Sequence, residues 1–102
     1  AAAGRAFNVS SGQAMTIREV AERTVAALGR TDLEPEITGK YRAGDIRHCF
    51  ADISLAQEVL GWHPQITLER GLVDLTEWLK DQTAEDRAVD ARMELAARGL
   101  MV

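Results

Sequence analysis

The sequence contains one cysteine, two prolines and only two lysines. A single cysteine, Cys49, cannot form a disulfide within the chain, which excludes a disulfide-rich secreted scaffold and favours a reducing compartment, the cytoplasm. The two lysines stand at positions 40 and 80, and the formal net charge is -4. Because binding to a phosphate backbone needs clustered cations, no nucleic-acid partner is expected.

Long apolar runs are also absent. The longest run is only a few residues, far short of the roughly 20 that a membrane-spanning helix needs, so no membrane partner is expected. With 102 residues, 46% of them hydrophobic and 27% charged, the sequence has the size and composition of a globular unit around one core.

The clearest local signals that are present belong to helices. Thr16-Ile17-Arg18-Glu19 has the Thr-x-x-Glu spacing of a capping box, in which the two side chains satisfy each other's backbone N–H groups. Apolar residues then recur at helical spacing as far as Gly29. The pattern predicts a helix between Thr16 and Gly29.

Two further helices are predicted in the middle of the chain. Ser54 and Gln57 form a second candidate capping box, for a short helix that ends at Gly61. The next helix starts near Thr67. Its apolar residues, which recur at i, i+4, i+7 and i+11, predict a buried stripe of Leu68, Leu72, Leu75 and Leu79.

A fourth helix is predicted from a cap at Thr83 to about Arg98, with Gly99 as the glycine that follows its end. Its apolar stripe is thin and rich in alanine, so it does not predict firm packing. We therefore divide the sequence into a domain of residues 1–82 and a helical tail of residues 83–102.

Two short segments have the character of strands. Ala6-Phe7-Asn8-Val9 runs into a turn cluster, and a second strand fits within Glu34–Gly39, where Pro35 restricts its start. A strand, a helix and a second strand in that order imply a right-handed parallel crossover. The predicted fold class is α/β: a short two-stranded parallel sheet, with room for a third short strand, and about four helices.

The turn Arg42-Ala43-Gly44-Asp45 is the strongest candidate binding site. Arg42 offers a planar cationic fork for phosphate, Asp45 offers a carboxylate acceptor for hydroxyls, and Gly44 frees the backbone to turn both toward one ligand. The alternative is a surface loop in which Arg42 and Asp45 pair only with each other or with solvent.

The residues after this turn are weaker candidates. Arg47 and His48 could add phosphate or hexose contacts, but neighbours in an extended segment point to opposite faces, so at most one is expected to face a ligand. Cys49 has no Cys/His metal spacing near it and is interpreted as a small buried hydrophobe. Trp78 is assigned to packing, whereas Trp62 remains open between packing and sugar stacking.

Six motifs follow one another over about residues 6–80. They are Phe7-Asn8-Val9-Ser10-Ser11-Gly12, the capped helix from Thr16, Arg42-Ala43-Gly44-Asp45, Ala51-Asp52-Ile53-Ser54, Leu60-Gly61-Trp62-His63-Pro64 and Leu68-Glu69-Arg70-Gly71-Leu72. In order and spacing they resemble the C-terminal region of the extended short-chain dehydrogenase/reductases, the NAD-dependent nucleotide-sugar epimerases and dehydratases.

The resemblance implies a substrate-binding domain that works together with a Rossmann domain holding NAD. It implies that Arg42 grips the diphosphate of a nucleotide diphosphate sugar and that Asp45 accepts from its hydroxyls. The sequence has no glycine fingerprint for a dinucleotide, and its single tyrosine, Tyr41, is followed four residues later by Asp45 rather than the lysine of a Tyr-x-x-x-Lys pair. No catalytic, cofactor-binding or metal-binding residue is therefore expected in this chain, which is expected to be inactive alone.

Three functional hypotheses follow. The first is the substrate-binding part of such an epimerase or dehydratase, and its partners are the nucleotide diphosphate sugar and the missing Rossmann domain. The second is a free-standing, non-catalytic module for a nucleotide or sugar phosphate, and the third is an interaction domain. Under the first, the chain alone binds the sugar nucleotide weakly or not at all. It then exposes an apolar patch, to which Phe7, Val9 or Ala1–Ala3 contributes and through which self-association is a further hypothesis.

Overall fold

The first helix begins at the predicted capping box. In the computed structural model, which describes residues 2–102, α1 spans Ile17–Ala27. The Thr16 hydroxyl accepts the Glu19 N–H at 3.1 Å, and the Glu19 carboxylate accepts the Thr16 N–H at 2.7 Å. That backbone hydrogen bond from Thr16 is the main reason why the pKa of Glu19 lies below its ordinary value of 4.5. The predicted helix and its cap are confirmed.

The second helix, α2, spans Ser54–Leu60, but its predicted capping box is wrong. Ser54 is the first helical residue, and the capping group is the carboxylate of Asp52. One oxygen of Asp52 accepts the Ser54 N–H at 2.9 Å and the Ser54 hydroxyl at 2.5 Å, and these bonds lower the pKa of Asp52. At the other end Gly61 has a φ of 62°, the left-handed conformation predicted for the residue that ends this helix.

The third helix, α3, spans Leu68–Leu79, and the Thr67 hydroxyl caps it by accepting the Arg70 N–H at 3.2 Å. The helix is confirmed, but the buried stripe is wrong in part. Leu72 is 8% exposed, whereas Leu75 is 49% exposed and Leu79 is also exposed. The spacing puts these leucines on one side of α3, but no other part of the described chain covers the Leu75 end.

The fourth helix, α4, spans Ala88–Ala97 and begins five residues after the predicted Thr83 cap. The Asp86 carboxylate accepts the Ala88 N–H at 2.9 Å, so it supplies the capping group at this end. Gly99 ends the helix as predicted: its φ is 67°, and the N–H groups of Gly99 and Leu100 bond back to carbonyls in the last turn.

The predicted parallel sheet is wrong, because the structure has no strand among residues 2–102 and is helical. A strand exists only where a second strand completes its hydrogen-bond ladder. Segments 6–9 and 34–39 have no such neighbour. Within the described residues, the backbone hydrogen bonds between positions more than six apart all belong to one antiparallel bridge, Arg42 with Met101.

Helices α1 and α3 pack against each other, and the Arg23 guanidinium lies 2.6 Å from the Glu69 carboxylate across them. The buried residues of the described chain are few: Ile53, Ala56, Leu72 and Thr76. The accessible surface is 8859 Å², against about 5,700 Å² for a globular monomer of this mass. Much of the apolar surface of the chain is therefore uncovered.

Two residues of the predicted apolar patch differ in exposure. Val9 is exposed, whereas Phe7 is half-buried, with the Arg5 guanidinium 5.8 Å from the centre of its ring. Of Ala1–Ala3, Ala1 lies outside the described residues. Every helix within residues 2–102 is too short or too polar to cross a membrane.

Candidate functional site

The turn at 42–45 is a tight β-turn. The Asp45 N–H donates to the Arg42 carbonyl oxygen at 3.1 Å, and Gly44 has a φ of +87° at the third position of the turn, as a type II turn requires. A Cβ at Gly44 would have no atom within 4 Å. Glycine is therefore favoured here by the backbone conformation and not by a shortage of space.

The turn brings Arg42 and Asp45 together. Arg42 Nε donates to Asp45 Oδ2 at 3.2 Å, and the Arg42 backbone N–H donates to the same oxygen at 3.3 Å. Both side chains are exposed, at 64% and 44%. An exposed ion pair contributes at most about 1 kcal/mol to stability, so the main effect of this one is to set the direction of the guanidinium.

The same contacts leave the terminal nitrogens of Arg42 and one carboxylate oxygen of Asp45 without a protein partner among the described residues. Within the described chain, Arg42 Nη1 and Nη2 donate to no protein acceptor, and Asp45 Oδ1 accepts no hydrogen bond. Arg30 provides the contrast, because Asp32 occupies its guanidinium with two bonds of 2.9 Å each, from Nε and Nη2. Arg42 therefore presents free donors to an anion, and Arg30 presents fewer.

The backbone on both sides of Arg42 is held by the end of the chain. Ala43 N–H donates to the Leu100 carbonyl at 2.7 Å, and Tyr41 exchanges hydrogen bonds of 2.9 Å and 2.8 Å with Val102. Our sequence reasoning missed this pairing. The available signal was Gly99, which turns the backbone at the end of α4, followed by the apolar triplet that now forms the bridge.

The residues after the turn lie on a different surface. Arg47 and His48 both line a cleft of ≈ 640 Å³ beside the first turn of α1, which contributes Ile17 and Glu19. The chain bends at Arg47 and His48, so the alternation expected of an extended segment does not apply. Arg42 and Asp45 do not line this cleft.

Two assignments of side chains to the interior are wrong. Cys49 is exposed, and Trp78 is 59% exposed, since no other described segment covers either of them. Trp62 is half-buried and lines an open cavity of ≈ 530 Å³ together with Val9, His63 and Ile66. These exposed side chains add to the uncovered apolar surface.

Comparison with characterised proteins finds similarity to part of several epimerases. It is 40% identical over 76 residues to a dTDP-L-rhamnose 4-epimerase of Burkholderia thailandensis, a match that covers 74% of this chain and 20% of the relative. It is 36% identical over 83 residues to a UDP-glucose 4-epimerase of Mycolicibacterium smegmatis, a match that covers 81% of this chain and 26% of the relative. The chain matches one region of the NAD-dependent epimerases. The human UDP-glucose 4-epimerase is 33% identical to the chain over 76 residues, a match that covers 74% of this chain and 21% of the relative.

The chain thus spans about a fifth to a quarter of the length of the curated relatives that it matches. No protein-family model and no solved structure matches it. The family resemblance of the sequence is confirmed, and the family is one of NAD-dependent enzymes. Among residues 2–102, no group of His, Cys, Asp and Glu side chains is arranged to hold a metal ion.

Proposed function

We propose that this chain is the C-terminal, substrate-binding part of a nucleotide-sugar epimerase, and that the turn Arg42–Asp45 binds the nucleotide diphosphate sugar. The observation that carries this proposal is the open edge of Arg42. Asp45 orients the guanidinium through Nε while Nη1 and Nη2 have no protein acceptor among the described residues.

The chemistry of the two side chains suits the two polar parts of such a substrate. A guanidinium donates parallel, charge-assisted hydrogen bonds to the oxygens of a diphosphate, which a lysine cannot reproduce. Asp45 Oδ1 is an acceptor for a ribose or hexose hydroxyl. Relatives that act on dTDP-L-rhamnose and on UDP-glucose have substrates that contain both parts.

The NAD of this family does not fit the residues of this chain. A dinucleotide pyrophosphate binds where a glycine-rich turn leads from a strand into a helix N-terminus. Here the residues at the N-cap positions of the four helices are Thr16, Ile53, Thr67 and Arg87, and none of them follows such a turn. We therefore place the cofactor and the Tyr-x-x-x-Lys chemistry in another part of the enzyme.

The large exposed surface supports the proposal that this chain is one part of a larger enzyme. An accessible area of 8859 Å² leaves side chains such as Leu75, Trp78 and Phe50 uncovered, as expected of a segment that packs against the rest of an enzyme. The chain alone is then expected to be catalytically inactive and to bind the substrate only weakly, because half of a cleft leaves the ligand mostly in water.

A titration of the ¹⁵N-labelled chain with UDP-glucose tests the proposal by locating the site. We expect UDP-glucose to change the amide chemical shifts mainly at residues 41–45, and we expect these changes to be absent in Arg42→Ala. Arg30→Ala, which removes another exposed arginine paired with an aspartate, is the matched control and is expected to behave as the parent does. Shifts elsewhere, or shifts that Arg42→Ala leaves unchanged, would overturn the assignment. Tight binding by the chain alone would instead support a free-standing module.

A further inference from the structure

We infer that Leu100–Val102 is a positioning segment for the binding turn Arg42–Asp45, so that the end of α4 controls how Arg42 is presented to the substrate. The inference rests on the proposed function of that turn. It concerns three residues that belong to none of the six family motifs of the sequence.

The pairing holds the backbone on both sides of Arg42. Tyr41 and Val102 exchange hydrogen bonds of 2.9 Å and 2.8 Å, and Ala43 N–H donates to Leu100 O at 2.7 Å. Arg42 and Met101 then face each other as the non-hydrogen-bonded pair of an antiparallel bridge, in which opposed side chains lie close together. The bridge therefore fixes the direction in which the Arg42 side chain leaves the backbone.

These three hydrogen bonds are also the long-range backbone link of the turn to the rest of the molecule. Within residues 2–102, every other backbone hydrogen bond outside the helices joins positions at most six apart. The Arg42–Asp45 bonds are internal to the turn and fix its shape, but they cannot fix its orientation. The pairing with Leu100–Val102 sets the orientation of the turn relative to α4.

Helix α4 leads directly into Leu100–Val102, the segment that pairs with the turn. In the described chain α4 contacts no other helix, and Gly99, two residues after its last residue, has a φ of 67° that turns the backbone away from the helix. Met93 of α4 lines a cavity of ≈ 310 Å³ together with Lys40, Met101 and Val102, so the helix lies beside the bridge that it leads into. Displacement of α4 would thus move the turn.

The test compares two substitutions at Val102 in the 102-residue chain. Val102→Pro removes the N–H that donates to the Tyr41 carbonyl, whereas Val102→Ala keeps it. We expect amide hydrogen exchange at Tyr41 and Ala43 to accelerate about fivefold in Val102→Pro, as for the loss of one hydrogen bond, and to stay at the parent rate in Val102→Ala. A variant truncated after Leu100, which lacks two of the three bonds, is expected to show a larger acceleration.

A structural role for the segment would slow or speed exchange throughout the chain, so amides in α1 and α3 serve as the internal reference. They are expected to exchange at the parent rate in all three variants. If Tyr41 and Ala43 exchange equally fast in the parent, in Val102→Pro and in the truncated chain, the pairing does not hold the turn and the inference is overturned.

A UDP-glucose titration of the same samples separates this inference from the proposed function. We expect Val102→Pro to weaken binding roughly two- to fivefold, because a mobile turn must be ordered on binding. A changed exchange rate without any UDP-glucose effect at residues 41–45 in the parent would refute the binding function of the turn and leave its positioning intact. Unchanged affinity in Val102→Pro, with a parent that does bind at the turn, would refute the positioning role.

Discussion

Arg42 Nε lies 3.2 Å from Asp45 Oδ2, and the same carboxylate oxygen accepts the Arg42 backbone N–H at 3.3 Å. One aspartate thus closes the turn and orients the guanidinium. The pair forms across Gly44, which adopts a φ of +87° that other residues rarely adopt. The sequence interval of three residues is enough to bring both groups of the proposed site together.

Replacement of Asp45 by asparagine tests this relationship. Because both side chains are exposed, we expect the free energy of unfolding in urea to change by no more than about 0.5 kcal/mol. The effect on UDP-glucose binding is expected to be larger, since the variant loses the charge that orients Arg42. A stability loss with unaltered binding would show that Asp45 has only a structural role.

The contact between Gly12 and Ile53 makes a prediction about the small core. Gly12 has a φ of +70°, and a Cβ there would lie 3.0 Å from Ile53 Cδ1, a buried side chain. We expect Gly12→Ala to destabilise the chain by about 2–4 kcal/mol, from backbone strain and overpacking together. Gly39→Ala, with a φ of +72° and no atom within 4 Å, carries the strain alone and should cost about 1–2 kcal/mol in the same urea experiment.

Leu72 and Leu75 provide a second matched pair, on one helix. Leu72 is 8% exposed and Leu75 is 49% exposed. Truncation of Leu72 to alanine is expected to lower the free energy of unfolding by about 2–3 kcal/mol and truncation of Leu75 by less than about 1 kcal/mol. Equal losses for the two variants would show that α3 packs along its whole apolar stripe.

The capping box of α1 makes the stability of that helix depend on pH. Hydrogen bonds from Thr16 lower the pKa of Glu19 in the folded chain, so its stabilising effect is present above the ordinary value of 4.5 and is lost as the pH falls through the lower folded pKa. We expect the free energy of unfolding in urea to fall less between pH 6 and pH 3 in Glu19→Gln than in the parent, because glutamine keeps a capping acceptor but has no charge to lose. Carboxylates such as Asp32 and Asp52 titrate in both proteins and cancel in the comparison.

Local signals were sufficient for much of the fold. The starts of α1 and α3 follow from Thr16 and Thr67, and the ends of α2 and α4 follow from Gly61 and Gly99, because each cap depends on bonds within one turn of chain. The Arg42–Asp45 turn was predictable for the same reason. Its geometry is set by residues three positions apart.

Features that depend on distant partners were not predictable. Residues 6–9 form no strand, although their sequence favours one, because no second strand lies beside them. The bridge that does form joins Arg42 to Met101, almost 60 residues further along the chain. The prediction of burial was wrong for the same reason. Helical spacing places Leu75 and Trp78 on an apolar side of α3, but it does not show whether another segment covers that side, and the described chain leaves both exposed.

The ratio of two UDP-glucose dissociation constants tests the central claim most directly, that of Arg42→Ala to that of Arg30→Ala. Both variants lose one exposed arginine from an Arg–Asp pair, so they match in charge, and they differ in position and in how many guanidinium donors the aspartate occupies. We predict that Arg42→Ala binds at least about tenfold more weakly than Arg30→Ala, as for the loss of charge-assisted hydrogen bonds to phosphate. A ratio of one would contradict the account, because Arg42 would then be no more than another surface arginine.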